Sequence, residues 1–376
     1  MDKLKVMTIF GTRPEAIKMA PLVKKLAEEE RIRSIVAVTA QHREMLDQVL
    51  RLFSIKADYD LDIMKEGQSL SDITVKALQG LEGIIKGEKP DLVMVHGDTS
   101  TTFVGALAAF YQQVKVAHVE AGLRTYHKYS PYPEEMNRHL TGVLADLHFA
   151  PTSTARAHLL AENIPAERIA VTGNTVIDAL LDTVDPNYCF TERELNQLDY
   201  QQKKVILLTA HRRENLGQPL DNIFKAVKEL LASDRRIEVI FPVHLNPGVR
   251  KTVNRVLAGT ERIHLIEPLD YQPFANLMAR VTLILTDSGG IQEEAPALGK
   301  PVLVLRNTTE RPEAVEAGTV KLVGTDPAKI LITAQKLLQD QVAYQKMANA
   351  VNPYGDGRAS QRIVNRLLTE YGRGKE

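Results

Sequence analysis

Apolar residues along the chain come in short, nearly unbroken runs of Val, Ile and Leu, separated by longer stretches with helical spacing. The runs are "KVMTIF", "SIVAVT", "DLVMVHG", "VKVAHVE" and "LHFAPT", then "KVILLTA", "IEVIFPV", "RIHLIEP", "VTLILTD" and "PVLVLRN". A strand that is apolar on both faces belongs in a sheet covered on both sides, and intervening helices make that sheet parallel. The pattern predicts an α/β protein in which the strand–helix series occurs twice. Between the two series, residues 182–204 (DTVDPNYCFTERELNQLDYQQKK) carry few apolar positions and read as an interdomain connection. Domain one is placed at 1–175 and domain two at 176–358. The length of 376 residues agrees, because single cores stop growing near ~250–300 residues. Two packed domains imply a cleft. The tail has apolar residues at 363, 364, 367, 368 and 371, the stripe of an amphipathic helix over 359–376 that packs back on a domain.

Composition narrows the class of partner. The 47 basic residues cancel the 47 acidic ones, which argues against a nucleic-acid or membrane-surface partner. The single cysteine, Cys189, excludes an intramolecular disulfide and fits a reducing, cytoplasmic setting. The start "MDKLKVMTIFGTRPE" has no long apolar segment of the export type, and no run reaches the ~18 apolar residues of a membrane span.

In open parallel sheets, ligands lie outside the carboxyl ends of the strands, so the residues that follow each strand are the candidates. They are "GTRPEAIK", "HGDTSTT" and "VEAGLRT" in the first series, and "TAHRREN", "PVHLNP" and "TDSGG" in the second. In the first of these, Gly11 permits a tight turn and Arg13 stands at the positive end of the next helix, where an anion is favoured. Lys18, a turn further on, projects toward the same place, although Arg13 and Lys18 also fit an ordinary strand–helix turn. Asp98 is either a helix cap or a reactive carboxylate. Glu120 is either paired, with Arg124 as the near candidate, or held at a raised pKa for proton transfer. Glu134 and Glu135 open a helix, where acidic residues also serve simply as dipole partners.

In the second series His211, Arg212 and Arg213 repel one another unless an anion joins them. Ser288, Gly289 and Gly290 begin a helix whose amides suit phosphate, and Glu294 is placed to accept from the hydroxyls of a ribose. Arg311 and Glu313 lie close by in sequence, as an anion site or a surface ion pair. The chain has no Walker A loop and no G-x-G-x-x-G loop, so ATP and nicotinamide cofactors lose support and no cofactor is expected. There is also no H-E-x-x-H and no paired Cys, and Asp98 alone does not make a metal site.

These blocks, in order, resemble one family. "FGTRPEAIKMAP", "HGDTSTT", "HVEAGLRT", "PYPEEMNRHLTG", "TGNTVIDAL", "TAHRREN", "PVHLNP", "IEPLDY", "TDSGGIQEEAPALGKPVLVLR" and "TERPEA" are similar to the bacterial non-hydrolysing UDP-N-acetylglucosamine 2-epimerases, from about residue 5 to "NPYGDGRAS". The resemblance implies two Rossmann-like domains of the B-type glycosyltransferase fold, with the last helix crossing back to domain one. It implies reversible conversion of UDP-N-acetylglucosamine to UDP-N-acetylmannosamine through loss and re-addition of UDP, serving cell-wall or capsule precursors. A hydrolysing relative, releasing UDP and N-acetylmannosamine, would share nearly all of these residues. By resemblance Asp98, Glu120 and Glu134 are the acid–base candidates, with His211 against UDP and the reacting region. Arg13, Ser288, Gly289, Gly290, Glu294 and Arg311 would hold UDP, and Lys18 would support the acidic cluster. Gln41, Gln68, Arg212 and His244 match a second, regulatory UDP-N-acetylglucosamine site. Glu44 and Gly67 depart from that pattern, where Gln and Arg are expected. A homodimer is expected.

Overall fold

The computed structural model describes residues 3–40, 43–65 and 67–372. The chain forms two compact units, Met1–Asp182 with Tyr354–Glu376, and Thr183–Pro353. The first contains strands β1 (Leu4–Phe10), β2 (Ile32–Val38), β3 (Tyr59–Asp60), β4 (Leu92–His96), β5 (Lys115–Val119), β6 (Leu147–Ala150) and β7 (Ile169–Val171). The second contains β8 (Lys204–Thr209), β9 (Ile237–Pro242), β10 (Ile263–Ile266), β11 (Leu283–Thr286), β12 (Val302–Val304) and β13 (Val320–Leu322). All ten apolar runs are strands. The three that sequence reading missed, β3, β7 and β13, have two or three residues each and lie at sheet edges.

Every pairing in both sheets is parallel. The strand orders are β3-β2-β1-β4-β5-β6-β7 and β10-β9-β8-β11-β12-β13. Each order reverses direction at one point, between β1 and β4 in the first sheet and between β8 and β11 in the second. Connections diverge there to opposite faces, leaving a crevice at the carboxyl ends of the two strands. The loops after β1 and β4 carry Arg13 and Asp98, and those after β8 and β11 carry His211 and Ser288. Behind them both sheets are dry: Met7, Ile9, Val93 and Val95 are fully buried in the first, as are Ile206, Leu208, Phe241 and Leu285 in the second.

The expected domain boundaries each shift by a few residues. The helix Thr175–Thr183 up to Asp182, and the turn at 354–358, belong with the first unit. Asp178 on that helix accepts from the amides of Ala359 (3.1 Å) and Ser360 (2.8 Å), and Asn174 N–H donates to the Tyr354 carbonyl (2.7 Å). These bonds seat the last helix, Ala359–Tyr371, whose buried Ile363, Val364 and Leu367 face the helix Arg13–Glu28. Among the described residues, no helix is long and apolar enough to cross a membrane.

Candidate functional site

In the first unit, the loop after β1 differs from its expected form in two ways. Gly11 is needed for space and not for turn geometry: a Cβ there would fall 2.0 Å from Thr39 Oγ1 and 2.6 Å from Thr101 Oγ1. Those two hydroxyls are themselves hydrogen-bonded at 2.8 Å. The start of the following helix is also already occupied. Glu15 Oε2 accepts from Gly11 N–H (3.1 Å) and Thr12 N–H (2.8 Å), so these amides are not open to a ligand. What remains for an outside anion is Arg13, half-buried and without a hydrogen bond or ion pair among the described residues. The Lys18 ammonium pairs with Glu120.

Glu120 follows β5 directly with φ +59°, the left-handed region that a non-glycine residue occupies at a cost of about 1–3 kcal/mol. Such strain persists only where neighbours hold it, and here they are many. The buried carboxylate meets Lys18, Asn174 Nδ2 (3.0 Å), Arg138 (3.5 Å) and the His96 ring (3.7 Å). Burial alone would raise its pKa, but the Lys18 and Arg138 charges beside it hold it well below the usual carboxylate range. Of the two alternatives for Glu120, pairing is the one the structure shows, though not with Arg124, which pairs with Glu162 at 2.6 and 2.8 Å. His96 is itself fully buried, and burial pushes its pKa down to about 4, so the ring is neutral near pH 7.

Asp98 is not a helix cap. Thr99 has that role for the helix Ser100–Tyr111, accepting from Thr102 N–H at 3.2 Å, and the partly exposed Asp98 pairs with Arg138. Arg138 was not singled out from the sequence, although it binds three groups of the site. Its guanidinium reaches the Asp98 carboxylate, the Glu120 carbonyl and the Glu120 carboxylate. The available signal was its place four residues after Glu134, on the same face of the helix Glu134–Leu144. Glu134 is half-buried and makes no hydrogen bond or ion pair among the described residues. Its neighbour Glu135 is buried, and it fixes the preceding loop by accepting from Thr125 N–H and Tyr126 N–H, both at 3.0 Å.

In the second unit a cavity of about 290 Å³ opens at the carboxyl ends of β8, β9 and β11, lined among others by His211, Ser288, Gly290 and Glu294. Pro242, Leu269 and Phe274 supply its apolar wall. Gly289 opens the helix Gly289–Ala297, and a Cβ there would come within 3.7 Å of the Arg212 guanidinium. Amides and a cation thus face the same space. One turn on, Glu294 Oε1 accepts from the Tyr271 hydroxyl at 3.3 Å.

The repulsion expected within His211-Arg212-Arg213 is relieved partly from inside the protein. Fully buried Asp287 accepts from the amides of His211 (2.9 Å) and Arg212 (2.8 Å), and its other oxygen lies 3.2 Å from His211 Nδ1. That contact turns the Nδ1 edge of the ring toward the carboxylate. Burial would raise the Asp287 pKa, but His211 and the two amides lower it overall. The His211 ring stacks on that of His244, with centroids 5.2 Å apart and planes 13° apart. His244 and Arg212, matched to a second, adjacent site, lie beside His211. Gln68 lies in the first unit, where its side chain accepts from Lys65 N–H (3.2 Å), and Gln41 lies outside the described residues. Arg311 pairs with the buried Glu293, so it is not simply a surface charge.

The comparisons with known proteins agree with one another. The family model for UDP-N-acetylglucosamine 2-epimerase matches residues 24–368. The chain is 59% identical over 376 residues to the UDP-N-acetylglucosamine 2-epimerase of Bacillus subtilis, covering 100% of this chain and 98% of that one. Staphylococcus aureus MnaA, solved with UDP, superposes with a TM-score of 0.86 at 55% identity, covering 99% of this chain and 97% of that one. The Neisseria meningitidis UDP-GlcNAc 2-epimerase, solved with UDP-GlcNAc, gives a TM-score of 0.85 at 54% identity, covering 97% and 100%. The fold is the expected one, two parallel-sheet α/β units of the B-type glycosyltransferase kind. With the match running through both units and both clusters, this chain belongs to the UDP-N-acetylglucosamine 2-epimerase family.

Proposed function

We propose that the protein interconverts UDP-N-acetylglucosamine and UDP-N-acetylmannosamine, by elimination of UDP and its re-addition to the retained sugar. The observation that carries this reading is the arrangement at Arg138, where one guanidinium holds Asp98 and Glu120 together and Glu134 lies one turn away. The C2 proton of the sugar has no adjacent carbonyl, so it is not acidic enough to be removed directly. Cleavage of C1–O builds positive charge at C1; the C2 proton then leaves to a carboxylate and 2-acetamidoglucal forms. Reprotonation at C2 from the opposite face, with the UDP oxygen bonding again to C1, gives the epimer. Opposite faces require at least two proton-carrying groups, and Asp98, Glu120 and Glu134 are the candidates. Glu120 is held ionised by Lys18 and Arg138, so it has no proton to give in the resting enzyme, and the same pairing weakens it as a base.

The second unit supplies what the leaving group needs. Ser288, Gly289 and Gly290 offer amides to the diphosphate and Glu294 accepts from the ribose hydroxyls, with Arg311 as a cationic ligand; Arg13, in the first unit, is the further cation assigned to UDP. His211, fixed by Asp287, donates to or accepts from the group at the reacting bond. Held in this way UDP stays bound while detached, which makes the reaction epimerisation without net hydrolysis. Substrate activation would use Gln41, Gln68, Arg212 and His244, and the product would supply N-acetylmannosamine for surface polysaccharide. The test is an NMR time course on UDP-N-acetylglucosamine in D₂O. UDP-N-acetylmannosamine carrying deuterium at C2 is expected. Free UDP and free N-acetylmannosamine accumulating in step with turnover would instead make the protein a hydrolysing enzyme, and product without deuterium would exclude proton loss at C2.

A further inference from the structure

Glu15 takes no part in the chemistry above, yet it is 2% exposed and has no ion-pair partner among the described residues. A buried carboxylate without a cation is costly unless hydrogen bonds replace its water. Here the bonds come from two different loops. Oε2 accepts from Gly11 and Thr12 N–H, in the turn after β1 that leads into Arg13. Oε1 accepts from the Thr99 hydroxyl at 2.7 Å, in the loop after β4 and next to Asp98. The Thr102 hydroxyl, 3.0 Å from the same oxygen, shares its one proton with the His96 carbonyl. A helix-capping Glu needs only the backbone amides; the bonds of the second oxygen go beyond a cap.

We infer that Glu15 is a positioning residue for the reaction, fastening the Asp98 loop to the Arg13 loop across the point where the sheet order reverses. The inference rests on the reading of Asp98 as an acid–base group. Asp98 is held on one side through its own carboxylate and carbonyl, by Arg138 and by Asn137 Nδ2 at 3.0 Å. On the other side its neighbour Thr99 is pinned between the helix cap and Glu15. Without the second tie, the carboxylate is held from one direction only.

The test uses the full-length enzyme and measures kcat and KM for UDP-N-acetylglucosamine, UDP affinity by calorimetry, and thermal midpoint. Thr99→Val removes the hydroxyl with little change of shape, and Thr99→Ser restores it. Glu15→Gln keeps the ties, because its amide oxygen accepts from Gly11 and Thr12 while its NH₂ donates to the threonine oxygens. Thr99→Val and Glu15→Ala are each expected to lower kcat about 10- to 100-fold, the effect of a misplacement near 1 Å. UDP affinity of Thr99→Val should hold, Thr99→Ser and Glu15→Gln should retain turnover, and the Glu15→Ala/Thr99→Val pair should be no slower than its slower parent. A Thr99→Val enzyme that melts earlier but turns over normally would overturn the inference, as would single effects that multiply in the double variant. If Glu15→Ala does not fold, the contrast between Thr99→Val and Thr99→Ser decides. Asp98→Asn separates the two claims. Near-normal turnover there removes the acid–base reading itself, while its inactivity beside a normal Thr99→Val overturns only the role of Glu15.

Discussion

Arg138→Met keeps the length of the side chain and deletes the charge that joins Asp98 to Glu120. The side chains of Arg138 and Glu120 are 7% and 6% exposed, so the loss takes place in a medium where water cannot readily replace the guanidinium. Removing one partner of a buried ionic group costs about 3–5 kcal/mol, chiefly because the other charge is left unpaired. Glu120 retains Lys18 and Asn174, and Asp98 is 28% exposed and can be rehydrated, so the low end applies, about 3 kcal/mol. At roughly 2–4 °C per kcal/mol for a domain of this size, the melting point should fall by about 6–12 °C. The pH dependence has a definite sign. Glu120 sits below its ordinary value of 4.5 in the folded protein, so its ionised form stabilises the fold above that value, and the contribution disappears as pH falls through the lowered folded value. The gap between parent and variant should therefore be widest above about pH 5 and should narrow on acidification. Melting curves across this range, with turnover measured beside them, check both statements. A variant that melts with the parent at neutral pH and turns over normally would refute the account of Arg138. Arg138→Lys should rescue only in part, because one ammonium does not span both carboxylates and the Glu120 carbonyl as the planar fork does.

Asp98→Asn should abolish epimerisation and leave UDP binding largely intact, measured by NMR turnover and calorimetry; near-normal turnover would contradict its role. Arg311→Ala should chiefly weaken UDP binding and also lower the melting point, since it removes the ion pair with the buried Glu293; an unchanged UDP affinity would remove Arg311 from the nucleotide site. Gly11→Ala should destabilise by about 1–3 kcal/mol, read from the urea midpoint, because the added methyl meets the Thr39–Thr101 pair. An unchanged midpoint would mean that the pair moves aside freely.

Much of the architecture was readable because its cause is local. A continuous run of β-branched and aliphatic residues has no polar face to present to water, so the ten runs became strands covered on both faces, except at the edge strand β10, where Leu265 is exposed. The edge strands β3, β7 and β13 escaped notice because two or three residues pairing on one side carry no pattern of their own. Site positions were readable for a related reason: parallel connections place the residues after each strand at the carboxyl end of its sheet, where Arg13, Asp98 and Glu120 lie in the first unit and His211 and Ser288 in the second.

What the sequence alone determined, then, is the strands, their parallel pairing and the loops that carry the chemistry, because these follow from spacing over a few residues. Side-chain partnership was decided only by the tertiary structure. Sequence proximity suggested Arg124 for Glu120, yet the partners are Lys18, 102 residues earlier, and Arg138, 18 residues later. Glu15 reads locally as an ordinary first-turn acid, and only in the fold does it reach Thr99, 84 residues away. Both outcomes depend on the order β1-β4-β5, which sets side by side three strand ends that lie far apart along the chain. A local pattern records which face of an element is buried, but not which other element will cover it.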